Sequence, residues 1–339
     1  MAAAVLLMGA VRAEPSVSAK SAILLDACSG RVLYAENADE PRLIASTTKI
    51  MTGLLVCENC DPEQEVTVPD AAVGVEGSSM YLQRGETLTI RELLYGMMLR
   101  SGNDAATALA ILLDGSTEAF ADRMNDRAEE LGLGDIHFTN PSGLDQEEHY
   151  ASARSLGKLA AAAMENDLFR QVVSTKSVTI GDRVLTNHNK LLWQYAGAVG
   201  IKTGFTKAAG RTLVSCAERD GRRLIAVTLC DPDDWRDHAS LLDYGFSAYA
   251  QTGILTAGEV LCRIPVISGR ARSVEICAQK DISYPLLPGE KPEIRLKAPQ
   301  FVFAPVLRGQ AGTAEVWLDG QMIAQTPVYY QNSVPKDGR

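Results

Sequence analysis

The order in which the hydrophobic period changes along the chain constrains its fold most. Two short alternating runs come first, Ser21 to Ala27 and Arg31 to Glu36, separated by Cys28-Ser29-Gly30. They read as a β-hairpin. The period then lengthens to that of helices. From about Ser46, the residues Ile50, Met51, Leu54 and Leu55 are spaced to bury one face. Thr89-Ile90-Arg91-Glu92 has the form of a capping box opening a helix over Leu93 to Leu99. Ser101-Gly102-Asn103 breaks that helix, and further helices are expected over Ala105 to Leu113 and about Ser155 to Glu165. The period shortens again in Gly200 to Thr206, Thr212 to Glu218 and Arg223 to Cys230, the last two joined by Arg219-Asp220-Gly221. Asp237 to Ala250 reads as a closing helix. Strands at both ends with helices between them predict an α+β domain. Its antiparallel sheet takes its edges from both ends of the domain and is flanked by helices.

Past Gln251-Thr252-Gly253 the runs become short, β-like and punctuated by Pro and Gly: Val260 to Ile267, Val274 to Ala278, Glu293 to Leu296 and Ala314 to Leu318. They predict a small C-terminal all-β domain over 254–330, followed by a polar tail, 331–339, expected to fray. At the other end, Ala2 to Val11 is apolar and Val11-Arg12-Ala13 fits a small-x-small cleavage site. Residues 1–13 are therefore expected to be an export signal whose start is truncated, since no basic n-region precedes it. The formal charge of −9 and the absence of a basic stripe argue against a nucleic-acid partner. No run of about 20 apolar residues spans a bilayer. Seven cysteines leave at least one unpaired. Cys216 and Cys230 read as small core residues, and Cys57-x-x-Cys60 has no second pair at zinc spacing, so no metal is implied.

Three short motifs carry chemistry: Ser46-Thr47-Thr48-Lys49, Ser101-Gly102-Asn103 and Lys202-Thr203-Gly204. Each alone is weak, since an S-x-x-K is expected about once by chance in a chain this long. Ser155-Leu156-Gly157-Lys158 is such a second copy and reads as a helix face with a solvated lysine. Placement distinguishes the first set. Ser46 and Lys49 lie one turn apart at a helix start and share a face, where the local field favours developing negative charge. Ser101 and Asn103 sit at a break between helices, and Lys202 and Thr203 on a strand whose Gly204 admits a substrate backbone. A helix start, a loop and a strand edge can meet around one groove.

Ile44 to Thr52, Leu99 to Ala105, Gly200 to Thr206 and Asn140-Pro141-Ser142-Gly143-Leu144-Asp145 closely resemble the low-molecular-mass penicillin-binding proteins, the serine D-Ala-D-Ala carboxypeptidases of the peptidase S11 type. The likeness covers roughly residues 15–250 and, more loosely, the β-rich tail. It implies a β-lactamase/transpeptidase-like fold, a catalytic domain over 14–250 and no cofactor. Ser46 would attack the penultimate D-alanine of a peptidoglycan pentapeptide, with Lys49 as base. Deprotonating a lysine of ordinary pKa, about 10.4, at neutral pH costs roughly 4 kcal/mol, which burial and the charge of Lys202 would have to supply. Ser101 would relay the proton to the leaving D-alanine. Asn103 would hold the peptide and Lys49, while Lys202 and Thr203 would hold the terminal carboxylate. The oxyanion hole would be the N–H groups of Ser46 and Phe205. β-Lactams would acylate Ser46. His188 is either a further substrate contact or a hairpin histidine, and His137, His149 and His238 read as structural.

The resemblance implies an exported protein of the cell envelope, with a membrane surface open as a partner. The amphipathic terminal helix common in that family is not expected before Arg339. A β-lactamase would need a glutamate between the second and third motifs, and Glu147 and Glu148 do not fit that pattern. A D,D-endopeptidase or a slow-turnover β-lactam sensor would use the same site. The β-rich domain reads as a spacer or a partner module.

Overall fold

The computed structural model describes residues 13–338; the expected export signal lies, but for Ala13, outside them. Two compact units divide the chain after Ser247.

The first unit is built on a five-stranded antiparallel sheet. Its strands are β1 (Ser21–Asp26), β2 (Val32–Glu36), β3 (Ala198–Thr206), β4 (Gly210–Arg219) and β5 (Arg222–Leu229), in the spatial order β2-β1-β5-β4-β3. Both edges do come from opposite ends of the domain. β1 is buried at every position, which requires cover on both faces. Ile23 and Leu25 join a core shared with the helices.

The helices longer than one turn are α1 (Lys49–Asn59), α2 (Ile90–Arg100), α3 (Asn103–Asp114), α4 (Thr117–Glu130), α5 (Ala153–Ala163), α6 (Asp167–Ser174) and α7 (Asp234–Ala248). Two glycines mark where helices touch the sheet. A Cβ on Gly157 of α5 would stand 2.7 Å from Leu25 Cδ2. One on Gly245 of α7 would stand 2.7 Å from both Leu24 Cδ2 and Leu224 Cδ1, on the opposite face. The two helices therefore cover the sheet from either side, because alternation sends Leu24 and Leu25 apart. α1 is buried from Lys49 through Val56 without a polar face, the pattern of a central helix. The Thr89 capping box forms as expected, but the helix it opens begins at Ile90. α4 was not anticipated. It buries only Phe120, Ala121, Met124 and Ala128 among charged neighbours, with Ser116 as its N-cap.

The second unit pairs β6 (Ala250–Leu255) with β9 (Ile282–Leu286). Beside this lies a six-stranded sheet of β7 (Val260–Ile267), β8 (Ser273–Ala278), β10 (Glu293–Lys297), β11 (Val302–Phe303), β12 (Gln310–Leu318) and β13 (Gln321–Tyr330). Its order is β10-β12-β13-β8-β7-β11, and Ile264, Val266, Ile276, Val316 and Val328 fill its core.

Two expectations are corrected. The tail does not fray: Val334 is buried and exchanges two 2.8 Å backbone hydrogen bonds with Val306, and the Asp337 N–H donates to the Ser268 carbonyl at 2.8 Å. Its one apolar side chain, Val334, has a core to enter. Cys216 is a core residue, whereas Cys230 lies past the end of β5, half-buried and with a φ of 53°.

Candidate active site

The chain between β2 and α1 makes a tight 3-10 turn, Ala45–Thr48, so Ser46 stands just ahead of α1 rather than within it. Three neighbours hold that turn. The Thr212 hydroxyl on β4 donates to the Ile44 carbonyl at 3.1 Å. Thr48 donates to the Ala45 carbonyl at 2.8 Å and meets His149 Nε2 at 2.7 Å. Gly143 packs so closely that a Cβ there would lie 1.9 Å from the Ala45 oxygen. His149 Nδ1 accepts the Thr139 N–H at 3.1 Å, which leaves the proton on Nε2 for Thr48. Burial holds that imidazole at about 4, hence neutral.

One turn on, Lys49 is completely buried. Its amine meets three oxygens: Ser46 Oγ at 3.0 Å, Asn103 Oδ1 at 2.7 Å and the Ser142 carbonyl at 2.5 Å. The amide and carbonyl oxygens only accept. A neutral amine has two N–H groups for them and one lone pair left, which faces the Ser46 hydroxyl. Burial first, and then the like charge of Lys202, pushes Lys49 well below its ordinary value, against an opposing pull from Asp104.

α2 ends at Ser101 in a left-handed conformation, φ 60°, which turns the chain straight into α3. The break is braced by the segment before α2. The Asn103 N–H donates to the Ser78 carbonyl at 2.7 Å and its side-chain amide to the Glu76 carbonyl at 2.7 Å. Buried Asp104 accepts from the Met80, Leu82 and Ala105 N–H groups at 2.9 to 3.1 Å. On β3, Lys202 is buried, donating to Ser101 Oγ at 3.1 Å and to the Thr203 carbonyl at 2.8 Å, and desolvation lowers it to about 7. A Cβ on Gly204 would fall 2.3 Å from Thr212 Oγ1 and 3.0 Å from the Ser46 nitrogen, so only glycine lets this strand meet the turn.

These segments surround a cleft of about 690 Å³. Ser46, Ser101, Thr203, Gly204, Phe205 and His188 line it, and Lys49, Asn103 and Lys202 are buried behind that lining. Phe205 is 65% exposed, on β3, which is an edge strand of the sheet. His188 is held below its ordinary value by burial, Lys202 and Arg100. Glu147 and Glu148 are exposed, and the polar group facing Lys49 from that loop is the Ser142 carbonyl.

Sequence reasoning gave no role to Ser142, whose carbonyl is aimed at Lys49 by Asn140 Oδ1, acceptor for the Ser142, Gly143 and Leu144 N–H groups. It also missed Arg211, Asp234 and Trp235 on the cleft wall. The Arg211 guanidinium makes a two-pronged pair with Asp234 at 2.8 to 3.0 Å and lies 5.5 Å from the Trp235 ring. No local signal marks an arginine on a strand as a cleft residue.

Residues 8–233 match the family described as D-alanyl-D-alanine carboxypeptidase, and 249–336 match the C-terminal domain of penicillin-binding protein 5. The D-alanyl-D-alanine carboxypeptidase DacF of Bacillus subtilis is 33% identical, over 96% of this chain and 88% of its own. The carboxypeptidase DacD of Escherichia coli is 32% identical, over 94% and 88%. Among solved structures, penicillin-binding protein 5 of Haemophilus influenzae superposes with a TM-score of 0.81 at 29% identity, over 96% of this chain and all of that one.

Proposed function

The chain belongs to the D-alanyl-D-alanine carboxypeptidase family of serine peptidases, and on that premise we propose that Ser46 is its nucleophile and Lys49 its base. The enzyme removes the terminal D-alanine from peptidoglycan stem peptides. The observation that carries the residue assignment is the fully buried Lys49 amine, with two N–H groups committed to fixed acceptors and the Ser46 hydroxyl 3.0 Å away.

Lys49 accepts the hydroxyl proton as Ser46 Oγ bonds to the carbonyl carbon of the penultimate D-alanine. The N–H groups of Ser46 and Phe205 take the developing oxyanion, at the point where Gly204 brings β3 against the turn. Ser101 passes the proton to the leaving nitrogen, the C–N bond breaks and D-alanine departs. Water then cleaves the Ser46 ester. The substrate lies along the open side of β3 as an added strand, held by Asn103. Its carboxylate is met by Thr203, Lys202 and Arg211, and His188 is a contact on the wall beside them. Lys202 regains its charge in this complex, because the carboxylate favours it. β-Lactams acylate the same Ser46. The work takes place in the cell envelope, where the substrate is, with the β-rich domain of 254–330 as a spacer for the catalytic domain of 14–250.

Mass spectrometry of the chain treated with penicillin, and separately with an acyl-D-Ala-D-Ala peptide, tests the assignment alongside Ser46→Ala. A lasting adduct on Ser46 with D-alanine release, both lost in the variant, is the expected result. An adduct without release would point to an endopeptidase or a sensor. Rapid penicillin hydrolysis would point to a β-lactamase, and no adduct would end the case for Ser46.

A further inference from the structure

The second unit carries an apolar strip that its own core leaves uncovered. β11 pairs in parallel with the end of β7, matching Val302 to Val266 and Phe303 to Ile267. Alternation sends the valines into the core, and Phe301, Phe303 and Ile267 outward. Phe301 is 51% exposed, Phe303 66%, Ile267 43% and the nearby Leu307 74%. The two phenylalanine rings meet edge to face at 5.7 Å.

Cations surround the strip. Arg270 and Arg272 follow Ile267 in the chain, and Arg308 follows Leu307. Lys336 is brought in by a bridge to Gly269, beside an Arg270 N–H that donates to the Pro335 carbonyl at 3.0 Å. All four side chains are exposed, and among the described residues none has a carboxylate partner. Residues 267–272, 301–308 and 333–338 hold these four basic groups against one acidic group, Asp337, in a chain of net charge −9.

We propose that this face docks on the surface of an anionic lipid bilayer. Phenyl rings and aliphatic tips partition to headgroup depth while guanidinium groups reach lipid phosphates on long stems. Among the described residues this local reversal of charge pairs with no carboxylate of the fold, Arg308 lying over the Tyr329 ring at 5.9 Å, yet it is what a chain of net negative charge needs to approach an anionic surface. A second copy of the chain is a poorer occupant, because a two-fold contact through this face would set the same four cations against each other.

Co-sedimentation of the full chain with mixed phosphatidylglycerol–phosphatidylcholine vesicles tests the proposal, with pure phosphatidylcholine vesicles as the comparison. The chain is expected to pellet with the anionic vesicles and far less with the neutral ones. Arg270→Glu with Arg272→Glu, and separately Phe303→Ser with Leu307→Ser, are each expected to weaken binding about tenfold or more. D-Alanine release from a soluble peptide should be unchanged in both, and the calorimetric transition of the second unit should persist, which shows that the mutated unit is folded. Equal binding by wild type and variants, or a wild type that stays in the supernatant with anionic vesicles, would overturn the proposal. So would a concentration-dependent dimer in sedimentation velocity that the Phe303→Ser, Leu307→Ser variant abolishes, since the face would then be a protein interface.

Discussion

On the proposed mechanism the leaving D-alanine carries a free carboxylate, and the cations around it are the groups that would recognise it. Lys202 is buried and shared with Ser101, whereas Arg211 is half-exposed on the cleft wall. Asp234, only 3% exposed at its side chain, and Trp235 fix the guanidinium plane, so little side-chain entropy is lost when a substrate carboxylate arrives. A hydrogen bond to a charged group contributes about 1.5–3 kcal/mol, which is roughly 10- to 100-fold in affinity. Arg211→Ala is accordingly expected to lower kcat/KM for acyl-D-Ala-D-Ala by about that factor, chiefly through KM. It should leave cleavage of the same peptide with an amidated C-terminus nearly unchanged. Equal losses on both peptides would make Arg211 structural, with no part in recognition.

At the scale of elements, the site depends on how firmly the Ser46 turn is held, and His149 is its titratable brace. Thr139, His149, Thr48 and Ala45 form a chain of hydrogen bonds that works only with a neutral imidazole, because Nδ1 must accept. Burial depresses the folded-state value to about 4 from an ordinary 6.5. The unfolded chain therefore binds the proton first. The stability from this brace is fully present above about pH 6.5 and is lost as pH falls toward about 4, a difference of about 3 kcal/mol. His149→Gln is expected to be less stable at neutral pH but to lose about that much less on acidification, measured by urea unfolding across the interval. The buried His238, held at about 3, adds its own slope in both proteins, so a slope as steep as the wild type's in the variant would rule His149 out as an acid-labile group. The contrast with the three motifs shows what was legible in the sequence. Ser46 with Lys49, Ser101 with Asn103 and Lys202 with Thr203 are local patterns on elements whose period is plain. The Ser142 carbonyl, His149 and the Arg211–Asp234 pair act through contacts made by distant segments, which no local pattern records. α4 was invisible for a related reason, since four buried residues among charges give a helix too weak a stripe to separate from a loop.

Among the described residues each unit has a main core of its own: one around the central helix and sheet of the first unit, the other between the strands of the second. Each core is large enough to unfold cooperatively on its own. Calorimetry is therefore expected to show two transitions. The ligand site belongs to the first unit alone and ties together three segments far apart in sequence, around Ser46, Ser101 and Lys202. A covalent penicilloyl group bridging them stabilises the folded state of that unit and has no counterpart in the second. For a unit of this size each kcal/mol raises the midpoint by about 2–4 °C. Penicillin should move one transition upward by several such steps, leave the other in place and move neither in Ser46→Ala. If both transitions rose together, the units would share one cooperative core and the division after Ser247 would not be a thermodynamic one.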